Sequence, residues 1–218
     1  MTSIAMVGDS HSVTHFKYLQ PFLESKGYQV GYYKPKVGWS ARAFIERSDV
    51  NIHDMPKDID TAVIALGGNN AELNDEKYFA RLDTFIDRLK ESGIKKIVWL
   101  GPMYTDPNIA PDTAIRHDYT REAQKRYFDK TKYTWIDMYP YSQKGHYQDG
   151  IHFVPSQYEY MIEQTKNAIH TGLSRPYWLA KPRYYWIPTL AVAMLALGGY
   201  YVYTYVTEEE TWDTPRIS

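Results

Sequence analysis

The chain reads as an α/β protein: a parallel sheet with helices on both faces, followed by one C-terminal transmembrane helix. Three observations predict this. Short, continuous apolar runs alternate with longer stretches in which apolar residues recur at helical spacing. Glycine, proline and small polar residues punctuate the joins. One stretch, 184–207, holds no charged residue at all.

The first run, Ile4 to Val7, is too short for a signal-peptide core and has no basic flank, so it is expected to be a strand. Val13 to Ser25 places Phe16, Leu19, Phe22 and Leu23 at helical spacing, and Gly27 is its stop. Tyr28 to Tyr33 forms a second strand, and a loop around Gly38 leads into a short helix from Ala41 to Arg47. Thr61 to Leu66 is a buried-strand run. Asp75 to Ser92 is amphipathic, with Phe79, Leu82, Phe85, Ile86 and Leu89 on one side and Gly93 at its end. Lys96 to Leu100 is the fourth strand, and a proline-rich loop from Pro102 to Pro111 follows. Thr113 to Lys130 is expected to be helical, Tyr133 to Ile136 a last short strand, and Ser156 to Ile169 a closing helix capped by Ser156. Strands alternating with helices imply a parallel sheet with both faces covered.

Composition narrows the function classes. The 218 residues fit one such domain with some chain to spare, and an apolar share of 44% supplies a core. A net charge of −1, from 25 basic and 26 acidic residues, gives no global field for nucleic acid. The absence of cysteine removes disulfides, thiolate nucleophiles and cysteine-bound metals. His15, His53, His117, His146 and His170 show no metal-ligand spacing and are read as surface or packing residues, so no metal is expected.

Ligands of parallel sheets bind outside the carboxyl ends of the strands. Gly8-Asp9-Ser10 follows the first strand, Gly38 the second, and Gly67-Gly68-Asn69-Asn70 the third. Asp149-Gly150-Ile151-His152 follows the last. These segments hold the parts of an acyl-transfer site. Ser10 is a nucleophile, His152 a base that takes its proton, and Asp149 a group that orients the imidazole. Backbone N–H groups of Ser10 and Gly38 and the side-chain amide of Asn69 are candidates for an oxyanion hole. A glycine at 38 lets a backbone N–H approach a substrate closely. Taken singly, Gly-Asp-Ser and Asp-Gly are also ordinary turn sequences. His11, Trp39, Tyr104 and His146 lie at or near this edge and are candidate pocket residues, with loop packing as the alternative. His11 is expected to shape the rim rather than act as a second base. The glycine-rich segment at 67–70 lacks the lysine and spacing of a phosphate loop.

Together, Gly8-Asp9-Ser10, Gly38, Gly67-Gly68-Asn69 and Asp149-Gly150-Ile151-His152 resemble four sequence blocks of the SGNH hydrolases, the GDSL-like esterase and lipase superfamily. The resemblance runs from Gly8 to about His152. It implies a flavodoxin-like three-layer α/β/α sandwich. It also implies a Ser10–His152–Asp149 triad, oxyanion donors at Ser10, Gly38 and Asn69, and no cofactor. Two positions depart from the commonest pattern: His11 stands in place of leucine, and Asn70 in place of aspartate. A histidine after the serine resembles SGNH domains attached to membrane acyl-modifying systems.

The charge-free stretch is long enough to cross the hydrocarbon, and tyrosines and a tryptophan flank it as interfacial belts would. A buried core helix is the alternative. Arg175, Lys181 and Arg183 precede it and Glu208, Glu209 and Glu210 follow. The positive-inside rule then predicts a single-pass, tail-anchored protein with its soluble domain in the cytoplasm. The segment lacks a clear small-xxx-small pair, so no dimer face is indicated. The expected organisation is a hydrolase domain over 1–172, a linker over 173–183, a membrane helix over 184–207 and an acidic tail over 208–218. The expected function is a membrane-tethered serine esterase acting on acyl esters, such as O-acetyl groups, of glycans or lipids. Two alternatives keep the same residues. One is an O-acyltransferase. The other is a non-enzymatic membrane-anchored assembly protein, such as a virion component, that uses the fold as a scaffold.

Overall fold

In a computed structural model, residues 1–47, 52–143 and 145–176 are described. The expected membrane segment at 184–207, most of the linker before it and the tail after it lie outside these residues. Among the described residues, no helix is long and apolar enough to cross a membrane.

The strands are β1 (Thr2–Gly8), β2 (Tyr28–Pro35), β3 (Thr61–Ala65), β4 (Lys96–Leu100) and β5 (Thr134–Ile136). They form one parallel sheet in the order β2-β1-β3-β4-β5. The helices are α1 (Ser10–Ser25), α2 (Ala41–Glu46), α3 (Asp75–Glu91), α4 (Pro111–Asp129), α5 (Tyr139–Ser142) and α6 (Pro155–Ser174).

Successive strand residues point to opposite faces, and the sheet uses this period of two to build two cores. Ala5, Val7, Ala62, Ile64, Ile97 and Trp99 face a cluster with Phe44 of α2, Leu82 and Phe85 of α3, and Phe128 of α4. Ile4, Met6, Val63, Ala65, Val98 and Leu100 face another with Phe16 and Leu19 of α1, and Met161 and Ile169 of α6. Both faces of β3 are buried, which is why its sequence is a continuous apolar run.

The register aligns Gly8 with Ala65, and Ala65 with Leu100, so three central strands end level. Chain direction across the sheet reverses between β1 and β3: the chain moves from β1 outward to β2, then returns past β1 to β3. A crevice opens at such a switch point, and the loops after β1 and β3 flank it.

Helix α4 starts at Pro111 rather than Thr113, and the limits of α1 and α6 depart furthest from those the sequence predicts. Helix α1 starts at Ser10, not Val13, with Asp9 as N-cap accepting the His11 N–H. Its first turn is polar because it faces the crevice, so apolar spacing does not reveal it. Helix α6 starts at Pro155, with Val154 as N-cap and no side-chain cap bond, so Ser156 is inside the helix. It also continues to Ser174, past the expected end at Ile169 and into the expected linker. A Cβ on Gly172 would lie 2.9 Å from Val98 Cγ2, so this glycine lets the helix press against the sheet instead of ending it. The short helix α5 is an additional element.

Candidate active site

Helix α1 begins directly after β1, so Ser10 is its first residue, at the mouth of the crevice. As the first helical residue, Ser10 has a backbone N–H without a partner in the helix. Asp9 is buried and ties this turn to the loop after β3. Its Oδ1 accepts the His11 N–H at 3.1 Å and its Oδ2 accepts the Gly68 N–H at 3.2 Å. Burial raises the Asp9 carboxyl to about 6, against the opposing effect of N–H donors from Gly68, His11 and Gly67.

The opposite wall comes from the loop before α6. Asp149 Oδ1 accepts the N–H groups of Ile151 at 3.0 Å and His152 at 2.6 Å. Asp149 Oδ2 lies 2.7 Å from His152 Nδ1, and His152 Nε2 lies 2.9 Å from Ser10 Oγ. The carboxylate only accepts, so Nδ1 carries the hydrogen; in the neutral ring Nε2 is then bare and faces the serine hydroxyl. Loss of water around Asp149 raises its carboxyl, but the donors from the His152 ring and the two backbone N–H groups outweigh this and hold it at about 2. The turn expected at Asp149-Gly150 and the Asp–His pair are therefore one structure.

Gly38 lies in the turn after β2 with φ +77°, a left-handed conformation that favours glycine. Nothing of the protein lies within 4 Å of where its Cβ would sit. The backbone conformation, rather than crowding within the fold, is what this glycine answers to. Asn69 Nδ2 donates one bond to the Trp39 carbonyl at 3.1 Å, linking this turn to the loop after β3. The amide has a second N–H. Asn70 is buried and donates to Thr120 Oγ1 at 3.1 Å and to the Glu72 carbonyl at 3.0 Å. It holds the loop to α4.

Ser10, His152, Gly38 and Asn69 line one open cavity of ≈ 380 Å³. His11 also lines it, from beneath: its ring is buried, its Nδ1 lies 2.9 Å from the Tyr158 hydroxyl, and its centroid is 5.1 Å from that of His152. Burial lowers His11 well below the usual histidine range. The other three candidate pocket residues lie elsewhere. Trp39 is only 6% exposed and packs edge-on against Phe44, so its indole belongs to a core cluster. Tyr104 packs against Tyr139, and its N–H donates to Ser142 Oγ at 2.8 Å. His146 is exposed, and its carbonyl accepts the Val154 N–H at 2.9 Å. None of these three side chains lines the cavity. Their proximity in sequence to the edge did not reveal the direction in which each side chain turns.

Helix α4 contributes residues that spacing did not single out. His117 is buried, lines the cavity, and places Nε2 2.9 Å from the Gly68 carbonyl. Its Nδ1 lies 2.9 Å from the Thr105 hydroxyl and 3.0 Å from the Met103 carbonyl. Each ring nitrogen thus faces a carbonyl, and the neutral ring can donate to one of the two. Gly68 is held at its N–H by Asp9 and faces His117 at its carbonyl. Thr113 and Arg116 complete this side of the cavity. The signal for Asp9 was present in the sequence as an N-cap residue before a helix. For His117 and Arg116 there was none, because only the packing of α4 brings them to the crevice.

Among solved structures, a lipase/acylhydrolase from Enterococcus faecalis superposes with a TM-score of 0.59 at 19% identity, over 77% of this chain and 97% of that one. The fold is that of the GDSL-like lipases and acylhydrolases. A GDSL-like lipase from Bacteroides thetaiotaomicron gives 0.57 at 16% identity, over 79% of this chain and 89% of that one. A catalytic mutant of an acetylxylan esterase from Geobacillus stearothermophilus gives 0.60 at 15% identity, covering 84% and 97% respectively. At these identities the likeness is one of fold. No family model and no curated protein matches the chain.

Proposed function

We propose that the protein is a serine esterase that cleaves acyl esters, with O-acetyl groups of glycans or lipids as the substrate class, through an acyl-enzyme on Ser10. The observation that carries this reading is the continuous path from Asp149 through His152 to Ser10, with links of 2.7 and 2.9 Å. Such distances are those of a nucleophile within reach of its base, and of a base oriented by a third group. The likeness in fold to acylhydrolases and to an acetylxylan esterase supports the reaction class.

The steps follow from the donors and acceptors. Ser10 Oγ attacks the ester carbonyl carbon while His152 Nε2 takes the hydroxyl proton. The carbonyl oxygen becomes an oxyanion, and the Ser10 N–H, the Gly38 N–H and the second Asn69 N–H are its donors. The C–O bond to the alcohol breaks, and His152 returns the proton to the leaving oxygen. Water then gives up a proton to His152 and attacks the acyl-serine carbonyl; the bond from Ser10 Oγ to the acyl carbon breaks, His152 returns the proton to Oγ, and the acid leaves. Asp149, ionised throughout, stabilises the imidazolium formed in each half.

Replacement Ser10→Ala is expected to lower hydrolysis of a short-chain p-nitrophenyl ester by about 10,000-fold or more. It also removes labelling by a fluorophosphonate. Equal rates in mutant and parent refute the assignment, and an unlabelled parent favours the scaffold alternative. The same proposal includes a membrane tether at 184–207, resting on the absence of charge there. Full-length protein is expected to stay with membranes after carbonate extraction, and release into the supernatant refutes the tether.

A further inference from the structure

Helix α4 brings Arg116 to the cavity that holds Ser10. Its guanidinium donates to Thr113 Oγ1 at 3.1 Å, an uncharged partner that also lines the cavity. Among the described residues no carboxylate forms an ion pair with Arg116, although Asp112 and Asp118 lie on the same helix. This contrasts with the other arginines of α4: Arg121 is paired with Asp137, and Arg126 with Asp75.

The cavity wall itself contains no acidic side chain. The two carboxylates beside the nucleophile and its base are already engaged. Asp149 is bonded to His152, and Asp9 sits behind the Gly68 loop with its oxygens taken by backbone N–H groups. Burial lowers both His11 and His117, and the Arg116 charge adds to the lowering of His117. Of the side chains that line the cavity, the guanidinium is the one that carries a positive charge at every working pH. A guanidinium with spare N–H donors matches the two oxygens of a carboxylate or a phosphate.

We infer that Arg116 selects ester substrates whose alcohol portion carries an anionic group, a carboxylate or a phosphate. The inference rests on the esterase reading above and deepens it. An acetyl group has no place for a charge, so for O-acetyl esters the anion belongs to the alcohol. Arg116 binds it while the ester carbonyl occupies the space between Ser10 and Asn69. The carboxylate of a uronic or other acidic sugar and the phosphate of a lipid headgroup present the same chemistry to this side chain.

Matched substrates test this with the full-length protein. Acetylated glucuronate is compared with acetylated glucose, and acetylated glycerol phosphate with acetylated glycerol. The anionic member of at least one pair is expected to have about tenfold higher kcat/KM at low salt, mainly through KM. This preference should shrink as ionic strength rises. In Arg116→Gln the ratio of anionic to neutral kcat/KM is expected to fall to about one, and in Arg116→Lys to retain part of its value. Preference in the sugar pair identifies an acidic glycan, and preference in the glycerol pair identifies a phosphate headgroup. Equal kcat/KM within both pairs overturns the inference while leaving the esterase reading intact.

A second measurement does not depend on turnover. Calorimetric binding to Ser10→Ala is expected to be about tenfold tighter for the anionic esters, with the difference lost in the Ser10→Ala/Arg116→Gln double variant. Equal binding of charged and neutral esters also overturns the inference. Absence of hydrolysis of all four esters, together with no fluorophosphonate labelling, overturns the esterase reading instead.

Discussion

His15 lies one turn after His11 on α1, is 0% exposed, and has no hydrogen-bond partner among the described residues at either ring nitrogen. Its ring sits 6.1 Å from that of Tyr158, behind the candidate site. Burial lowers its pKa to about 3. At neutral pH it is an uncharged imidazole with one unmet donor and one unmet acceptor. Each such group costs about 1–3 kcal/mol. Leucine has nearly the same volume and no polar atom, so His15→Leu is expected to stabilise the fold by about 2 kcal/mol at pH 7.5.

The difference should grow on acidification. The unfolded chain binds a proton at His15 near pH 6.5 and the folded chain only near pH 3. The parent therefore loses stability as pH falls through that window, at up to about 1.4 kcal/mol per pH unit, while the leucine variant has no such loss at this position. By pH 5.0 the gap should reach about 4 kcal/mol. Other titrating groups are common to both proteins and cancel. Equilibrium urea unfolding, followed by circular dichroism at the two pH values, measures the gap. A leucine variant less stable than the parent at pH 7.5, or a gap that does not widen at pH 5.0, would refute the reasoning.

Other outcomes follow from the candidate site. Asp149→Asn keeps the shape of the loop but offers a poorer acceptor to His152 Nδ1. It is expected to lower kcat by about 100- to 10,000-fold with the unfolding midpoint nearly unchanged, measured on a p-nitrophenyl ester. Asn69→Ala removes one of the proposed oxyanion donors and is expected to cost about 100- to 1,000-fold in kcat with a smaller change in KM. For Asp9, the folded pKa of about 6 lies above the ordinary 3.8, so its stabilising contribution is greatest below pH 3.8 and is lost as pH rises through 6. Protonation also puts a hydrogen on a carboxyl whose oxygens accept the His11 and Gly68 N–H groups, so esterase activity is expected to fall below pH 6 with an Asp9 contribution. Asp9→Asn should abolish that part of the profile; an identical acid limb in the variant would exclude Asp9 as its source.

The order and type of the main elements were legible because each strand in the middle of the sheet is a continuous apolar run and α3 carries a clear apolar stripe. Misreadings occurred where polar residues serve a neighbour rather than solvent. The first turn of α1 is one such place: His11 and Ser12 are buried yet polar, so the helix was expected to start three residues late. The end of α6 differs for another reason: Gly172 admits a close contact with Val98 of β4, and the helix runs on to Ser174 instead of ending at Ile169. For Trp39 the sequence leaves pocket and packing both open, and the ring packs in a core, because nothing local to the loop tells which way a ring will turn.

Sequence alone determined the chemical inventory: Ser10, Asp149 and His152, the glycines and asparagine beside them, and an alternation that sends the loops after β1, β2 and β3 to one edge. It also carried the charge-free stretch at 184–207, which lies outside the described residues. Tertiary structure alone decided that His152 Nε2 meets Ser10 Oγ across 142 positions of chain, and that α4 supplies His117 and Arg116 to the same cavity. The reason is physical. Periodicity records which face of an element is buried, a property of neighbours three or four residues apart. It does not record which other element that face will meet, because that depends on how the whole sheet is ordered and packed.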